Sequence, residues 1–389
     1  MIDDTLVQPI HRDGRELWRT VAGRHGHAVY GPYRSTTHGV YQVTFELALA
    51  EGDGSDDVAC ATIEITGDHG KVLLADRPIR TSDLSTGLRR FTLMAVLRQI
   101  HQLEFRIYVN GATELVVDAA PVLTRVSGVL DEPPHDNLGE AGRNPERFAR
   151  DTRRILRRLR PHVLTGIGKV RLGRSADGGY ICPDDFEGLD TAFSFGINDD
   201  ISWDRDVAGR GLTVHQFDHT VTDPAPDDPR MVFQAKRIDR VSGPDTQSLG
   251  DLIRQHDKGA ERPNLLLKMD IENSEWEVFD ATSEEDLSRL AWIVCELHYF
   301  QGLAERDHRE LVDRCLEKVG RHFTVVHVHS NVWGGYSSFA NTVVPNVIEV
   351  TFVNRALYDV IWTHELFPGP VDQSCDPDQP DFYLGSFAF

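Results

Sequence analysis

The sequence predicts an all-β, jelly-roll-like sandwich over residues 1–126, followed by an α/β domain over residues 144–389. Three observations predict it. Up to about residue 126, apolar and polar residues alternate over short runs, as strands with one buried face require. From Ser127 to Arg143 that periodicity gives way to Pro, Gly and acidic residues, which reads as a linker. Beyond it, apolar runs of strand length alternate with helical stretches, the pattern of a sheet with helices on both faces.

In the first part the alternation is clearest in Tyr41–Leu47, where every second side chain faces one side. Further strands are expected at 61–65, 90–93, 103–109 and 115–118, separated by turn residues such as Gly52-Asp53-Gly54 and Asn110-Gly111. Short strands without intervening helices favour a sandwich. The pattern resembles the small jelly-roll modules related to carbohydrate-binding domains, a resemblance carried by no specific motif.

After the linker a helix is expected over 144–160, with Asn144 as N-cap, Pro145 in the first turn and Pro161 as the stop. Phe148, Ile155, Leu156 and Leu159 form its apolar stripe, and seven arginines cover much of the rest. Such a helix can dock on the chain's own acidic surface, on a partner or on anionic lipid. Seven strands follow, at 191–196, 212–218, 231–235, 264–270, 292–297, 323–329 and 347–353. The last two have no obvious helix between them, so an antiparallel pair is expected at one end of an otherwise parallel sheet.

Among 389 residues, 61 Asp+Glu against 41 Lys+Arg leave a formal net charge of −20. That excess repels phosphate backbones, so a general affinity for nucleic acid is disfavoured. No apolar run reaches the ~20 residues of a membrane span, and the acidic start Met1-Ile2-Asp3-Asp4 is unlike a signal peptide. A cytoplasmic location is expected. The five cysteines form no CxxC pair and suggest neither a zinc knuckle nor a disulfide framework.

In an open α/β sheet, ligands sit beyond the carboxyl ends of the strands. The first α/β strand ends in Phe195-Gly196-Ile197-Asn198, where a glycine admits close backbone approach but the spacing fails the dinucleotide fingerprint. The second ends at Asp218, suited to a ribose diol, and the fourth in Lys268-Met269-Asp270-Ile271-Glu272-Asn273-Ser274-Glu275. This last segment and the strand order resemble Rossmann-like, seven-stranded class I S-adenosylmethionine-dependent methyltransferases, in particular FkbM-like families with a Lys-x-Asp-x-Glu-Gly-x-Glu motif. Asn273 stands where the family usually has Gly, and tolerates the same left-handed backbone. Asp177-Gly178-Gly179-Tyr180, Gln216-Phe217-Asp218 and the tail from Val326 to Val350 add to the likeness, which spans about residues 165–355.

By position, the resemblance implies that Phe195, Gly196 and Asn198 pass under the methionine part of S-adenosylmethionine. Asp218 holds the ribose, Lys236 and Ile238 border the adenine, and Asp177, Gly178, Gly179 and Tyr180 close the pocket. Asp270 ends the fourth strand beside it.

Activation of an acceptor hydroxyl needs a base or a cation. Two readings stay open. Asp270, Glu296 and His298 can converge on Mg2+ or another divalent cation; alternatively His298 or His329 is a metal-free general base, with Glu296 beside it. His327 and His329 alternate on one strand, so one can be a plain core histidine. Trp333 and Tyr336, in a Gly/Ser-rich loop, can stack on a pyranose. The resulting expectation is an O-methyltransferase for a glycan or glycosylated small molecule, the sandwich raising local acceptor concentration. A non-sugar or protein acceptor, with the sandwich serving dimerisation, and a catalytically silent glycan-binding protein are the alternatives.

Overall fold

The computed structural model describes every residue except 37–38, 53–56, 98–99, 127–144, 340–341 and 380. The linker at 127–143, the N-cap Asn144 and part of the Gly52–Gly54 turn therefore lie outside the described residues. Two compact units emerge, residues 1–132 with 341–343 and 380–383, and residues 133–340 with 344–379 and 384–389.

The first unit is all β. Its strands form a six-stranded and a five-stranded sheet, antiparallel throughout. The alternation at Gly39–Leu49 works as expected, because Val43, Phe45 and Leu47 point inward. They meet Ile63, Ile65, Phe105 and Ile107 of the other sheet in one core. Strands at Val7–Arg12, Arg15–Thr20, Gly26–Val29, Pro32–Thr36, Val72–Arg80 and Val122–Arg125 were not expected from the sequence. Several are largely exposed, so they need no apolar alternation to remain paired; Val72–Arg80 begins with two exposed residues at the edge of its sheet.

The second unit is built on a seven-stranded sheet whose members are the seven runs expected from the sequence. They are β1 (Thr191–Phe195), β2 (Thr213–Phe217), β3 (Met231–Gln234), β4 (Leu265–Met269), β5 (Leu290–Leu297), β6 (Phe323–Ser330) and β7 (Ile348–Asn354). The order is β3-β2-β1-β4-β5-β7-β6. Only β7 runs antiparallel to its neighbours, inserted between β5 and β6. The chain leaves β1 for β2 on one side and reaches β4 on the other, so the strand order reverses there and opens a crevice at the carboxyl ends. β4, β5, β6 and β7 are buried along their whole length; β4 and β5 therefore read as near-continuous apolar runs, whereas β6 and β7 carry buried polar residues, His327, His329 and Glu349 among them.

Helix α1 (Pro145–Arg157) packs Ile155 and Leu156, with Leu159 just beyond it, into the core of this unit. Arg154 in its last turn and Arg158 just beyond it face the chain's own acids. Arg154 and Arg158 both reach Asp313, at 2.7 and 3.0 Å, and Arg158 also reaches Glu317 at 3.1 Å; the two acids lie on the helix Arg306–His322. Among the described residues no helix is long and apolar enough to cross a membrane.

Burial, not charge, should hold α1. Leu156→Ala is expected to cost about 2–5 kcal/mol, whereas Arg154→Ala, half exposed at its ion pair, should cost under about 1 kcal/mol. Urea denaturation of both variants measures the difference.

Candidate active site

A cavity of about 770 Å³ opens at the carboxyl ends of β1, β2, β4 and β5, within the range of small-molecule sites. Seven carboxylate residues line it against four lysines and arginines, so the lining favours a ligand with cationic character. The antiparallel hairpin Lys169–Leu172 and Tyr180–Pro183 presents Asp177, Gly178 and Tyr180 to it. Gly179 does not line it; a Cβ there would lie 2.3 Å from the carbonyl of Arg174.

Gly196, just past β1, has φ 70° and leaves no room for a side chain, because a Cβ would sit 1.6 Å from the Asp270 carbonyl oxygen. Lys268 is buried and donates to the Gly196 carbonyl at 2.7 Å. Phe195 is fully buried beneath this turn and does not line the cavity. Asn198, Lys236 and Ile238 do line it. Asp218 also lines it, but its carboxylate already accepts from Ile197 N (3.1 Å), Asn198 N (3.0 Å), Thr220 N (2.8 Å) and Thr220 Oγ1 (2.6 Å). Burial alone would raise its pKa, yet these donors outweigh it and hold the group below the usual carboxylate range. Four bonds occupy the lone pairs a carboxylate offers. A ribose diol must therefore exchange with the Thr220 donors.

At the other end of the cavity Asp270, Glu296 and His298 come together, with one ligand atom of each within 4.8 Å of the others. Tyr180 Oη donates to Asp270 at 3.0 Å, and Asn331 Nδ2 to Glu296 at 2.7 Å. Burial, then the charges of Asp270, Glu349 and Asp177, push the Glu296 carboxyl well above the usual carboxylate range. His298 Nδ1 sits 3.1 Å from Glu275, whose side chain is fully buried on the helix Glu275–Ala281. A carboxylate only accepts, so the ring donates from Nδ1 and turns Nε2 toward Glu272 and Glu296, at 3.6 and 3.9 Å. Burial disfavours the imidazolium, but the Glu275 hydrogen bond and charge, with Asp270 and Glu272, outweigh it and raise the His298 pKa.

Besides Gly179 and Phe195, two more expected site residues are placed elsewhere. His329 is buried, paired with Glu349 Oε2 at 3.0 Å, and does not line the cavity. It stands opposite Glu349 in the β6/β7 register, which turns it away from the crevice as a candidate base. Tyr336 is likewise buried, whereas Trp333 is 64% exposed at the cavity wall. His327 is held by Asp372 at 2.7 Å. Glu275 and Lys268 were not singled out from the sequence, although both lie in the quoted Lys268–Glu275 motif.

The sequence profile described as Methyltransferase FkbM domain matches residues 183–323. Over these residues the chain is similar to FkbM methyltransferase domains. The FkbM match spans β1 to β5 and so includes Gly196, Asp218, Asp270, Glu275, Glu296 and His298; Asp177–Tyr180 and Trp333 lie outside it. An FkbM domain implies S-adenosylmethionine as methyl donor. No curated protein matches the chain. The N-terminal region resembles solved carbohydrate-binding modules. The C-terminal CBM6 of LamC from Zobellia galactanivorans is 11% identical, covering 31% of this chain and 88% of its own, with a TM-score of 0.24. CBM6cm-2 from Cellvibrio mixtus lichenase 5A is 11% identical, covering 31% and 87%, at 0.23. A fibrillarin/Nop5p complex chain is 9% identical, covering 43% and 74%, at 0.27.

Gly196→Ala is expected to weaken S-adenosylhomocysteine binding and lower the thermal midpoint, because the new methyl meets backbone. Gly188→Ala is the control, with φ 76° but open space around its Cβ; it should cost only the left-handed penalty of about 1–2 kcal/mol. Calorimetry and thermal unfolding separate the two.

Proposed function

We propose that the protein is an S-adenosylmethionine-dependent O-methyltransferase acting on a hydroxyl of a glycan or glycosylated molecule, on a Rossmann-like class I sheet. The observation that carries this reading is His298, tethered by buried Glu275 and facing Asp270 and Glu296 inside the cavity of an FkbM domain. The donor fits the residues present, because a sulfonium and an ammonium group suit the acidic lining, and Gly196 offers backbone without a side chain. When bound, it supplies an electrophilic methyl group for in-line displacement.

The chain's own residues do the rest. Gly196 and Asn198 flank the methionine part, Asp218 faces the ribose, and Lys236 and Ile238 border the adenine. Asp177, Gly178 and Tyr180 form the opposite wall. His298 Nε2 accepts the acceptor's hydroxyl proton, and Glu275 stabilises the imidazolium that forms. Glu296 and Asp270 orient the hydroxyl. Trp333, exposed at the wall beside Asn331, offers an apolar face to a sugar ring. A tethered sandwich that binds the same glycan would raise its local concentration at this site.

A second reading uses the same three side chains as a cation site. Asp270, Glu296 and His298 provide an oxygen-rich donor set of the kind a divalent ion takes, and Glu275 would then orient the histidine as an outer-shell partner. The ion would lower the pKa of the acceptor hydroxyl in place of the base.

Calorimetry with S-adenosylhomocysteine, with magnesium and with EDTA, tests both readings. Binding at micromolar concentration is expected, and failure to bind under every condition would overturn the assignment. Loss of turnover with EDTA, restored by magnesium, would select the cation. In the metal-free mechanism His298 must be neutral, so kcat/KM rises with pH through its raised pKa. Glu275→Gln removes the charge that raises it, and the acid limb should move to lower pH. Binding of the full chain to an oligosaccharide array checks the acceptor class.

A further inference from the structure

A second cluster lies outside the cavity lining and has no part in the proposed reaction. His329 on β6 and Glu349 on β7 are directly opposed across the antiparallel ladder, and Cys375 reaches them from the C-terminal segment. His329 Nδ1 is 3.0 Å from Glu349 Oε2, and Cys375 Sγ is 3.2 Å from Glu349 Oε1. One ligand atom of each lies within 4.8 Å of the others, and the residues are 1%, 7% and 4% exposed.

Nitrogen, oxygen and sulfur donors converge here where water is excluded. A tetrahedral zinc site with bonds of ~2.0–2.3 Å sets its donor atoms about 3.3–3.5 Å apart, close to the 3.0 and 3.2 Å at which the imidazole and the thiol meet the two oxygens of Glu349. Charge also balances. A divalent ion with one thiolate, one carboxylate and a neutral imidazole has no net charge, the arrangement a low-dielectric interior accepts most readily. The thiol, by contrast, is a weak donor to a buried carboxylate.

We propose that His329, Glu349 and Cys375 form a metal site for a borderline divalent cation, zinc by its donor set, separate from the oxygen-rich cluster at Asp270. Binding releases the Cys375 thiol proton to solvent and forms the metal–sulfur bond without any redox step. The ion ties the C-terminal segment to β6 and β7. Its effect reaches the cavity wall, because the Asp177 amide donates to the Cys375 carbonyl at 3.2 Å.

The test is titration of chelator-stripped, full-length protein with Co2+ alone. One equivalent should produce a near-ultraviolet sulfur-to-cobalt band, which zinc abolishes, and zinc should raise the thermal midpoint. Cys375→Ser should lose both responses, and Asp270→Asn with His298→Ala should keep them. Should Cys375→Ser fail to fold, X-ray absorption of the zinc-loaded wild type must show one sulfur at ~2.3 Å. Absence of the band in the wild type, its persistence in Cys375→Ser, or a zinc shell without sulfur overturns the proposal.

Discussion

The candidate site depends on how closely the ends of β1 and β4 approach each other. Gly196 turns with φ 70° against the Asp270 carbonyl, where any side chain would collide with backbone. Lys268 closes the contact from β4 by donating to the Gly196 carbonyl. It is a buried cation, and the Tyr180 ring lies 5.6 Å from its ammonium. That one junction sets where the loops after β1 and β4 run, and so where Asn198 and Asp270 meet the cavity. It also places Asp218, whose carboxylate is bonded to the amides just after Gly196.

Around this junction the fold gathers carboxylates that would repel one another if all were charged. Each is relieved in a different way. Burial and its acidic neighbours push the Glu296 carboxyl well above the usual range. Burial would raise Glu349 as well, but the charge and hydrogen bond of His329 pull it below the usual range. Asp177, raised by burial and by Glu349 and Asp270, borders the cavity itself. A region that stores acids in this way is poised for a cation. Two donor clusters result, one of carboxylates and imidazole at the cavity, the other with a buried cysteine behind it.

Much of the second unit was legible because its central strands are buried on both faces. Burial of that kind leaves near-continuous apolar runs in β4 and β5, and all seven strands appear in the sequence at nearly their structural boundaries. In the first unit only strands with one well-buried face could be read, such as Gly39–Leu49; exposed or edge strands such as Val72–Arg80 carry no alternation to find. The basic helix was legible as a helix, but not its partner. Asp313 and Glu317 are more than 150 residues away along the chain, and only folding brings them beside Arg158.

The sequence by itself determined which residues end the strands, because strand length and a polar residue after an apolar run are local properties. From these came Asp218, Asp270, Glu296 and His298, and from the quoted motif the likeness to methyltransferases. Only the tertiary structure decided what each side chain faces. It saturated Asp218 with donors, put Glu275 behind His298 and withdrew His329 and Tyr336 from the cavity. It also brought Cys375 to His329 and Glu349, three residues with no common spacing in the chain. The physical reason is that contact across a sheet depends on register and strand order, which join residues far apart in sequence and leave no local periodicity to read.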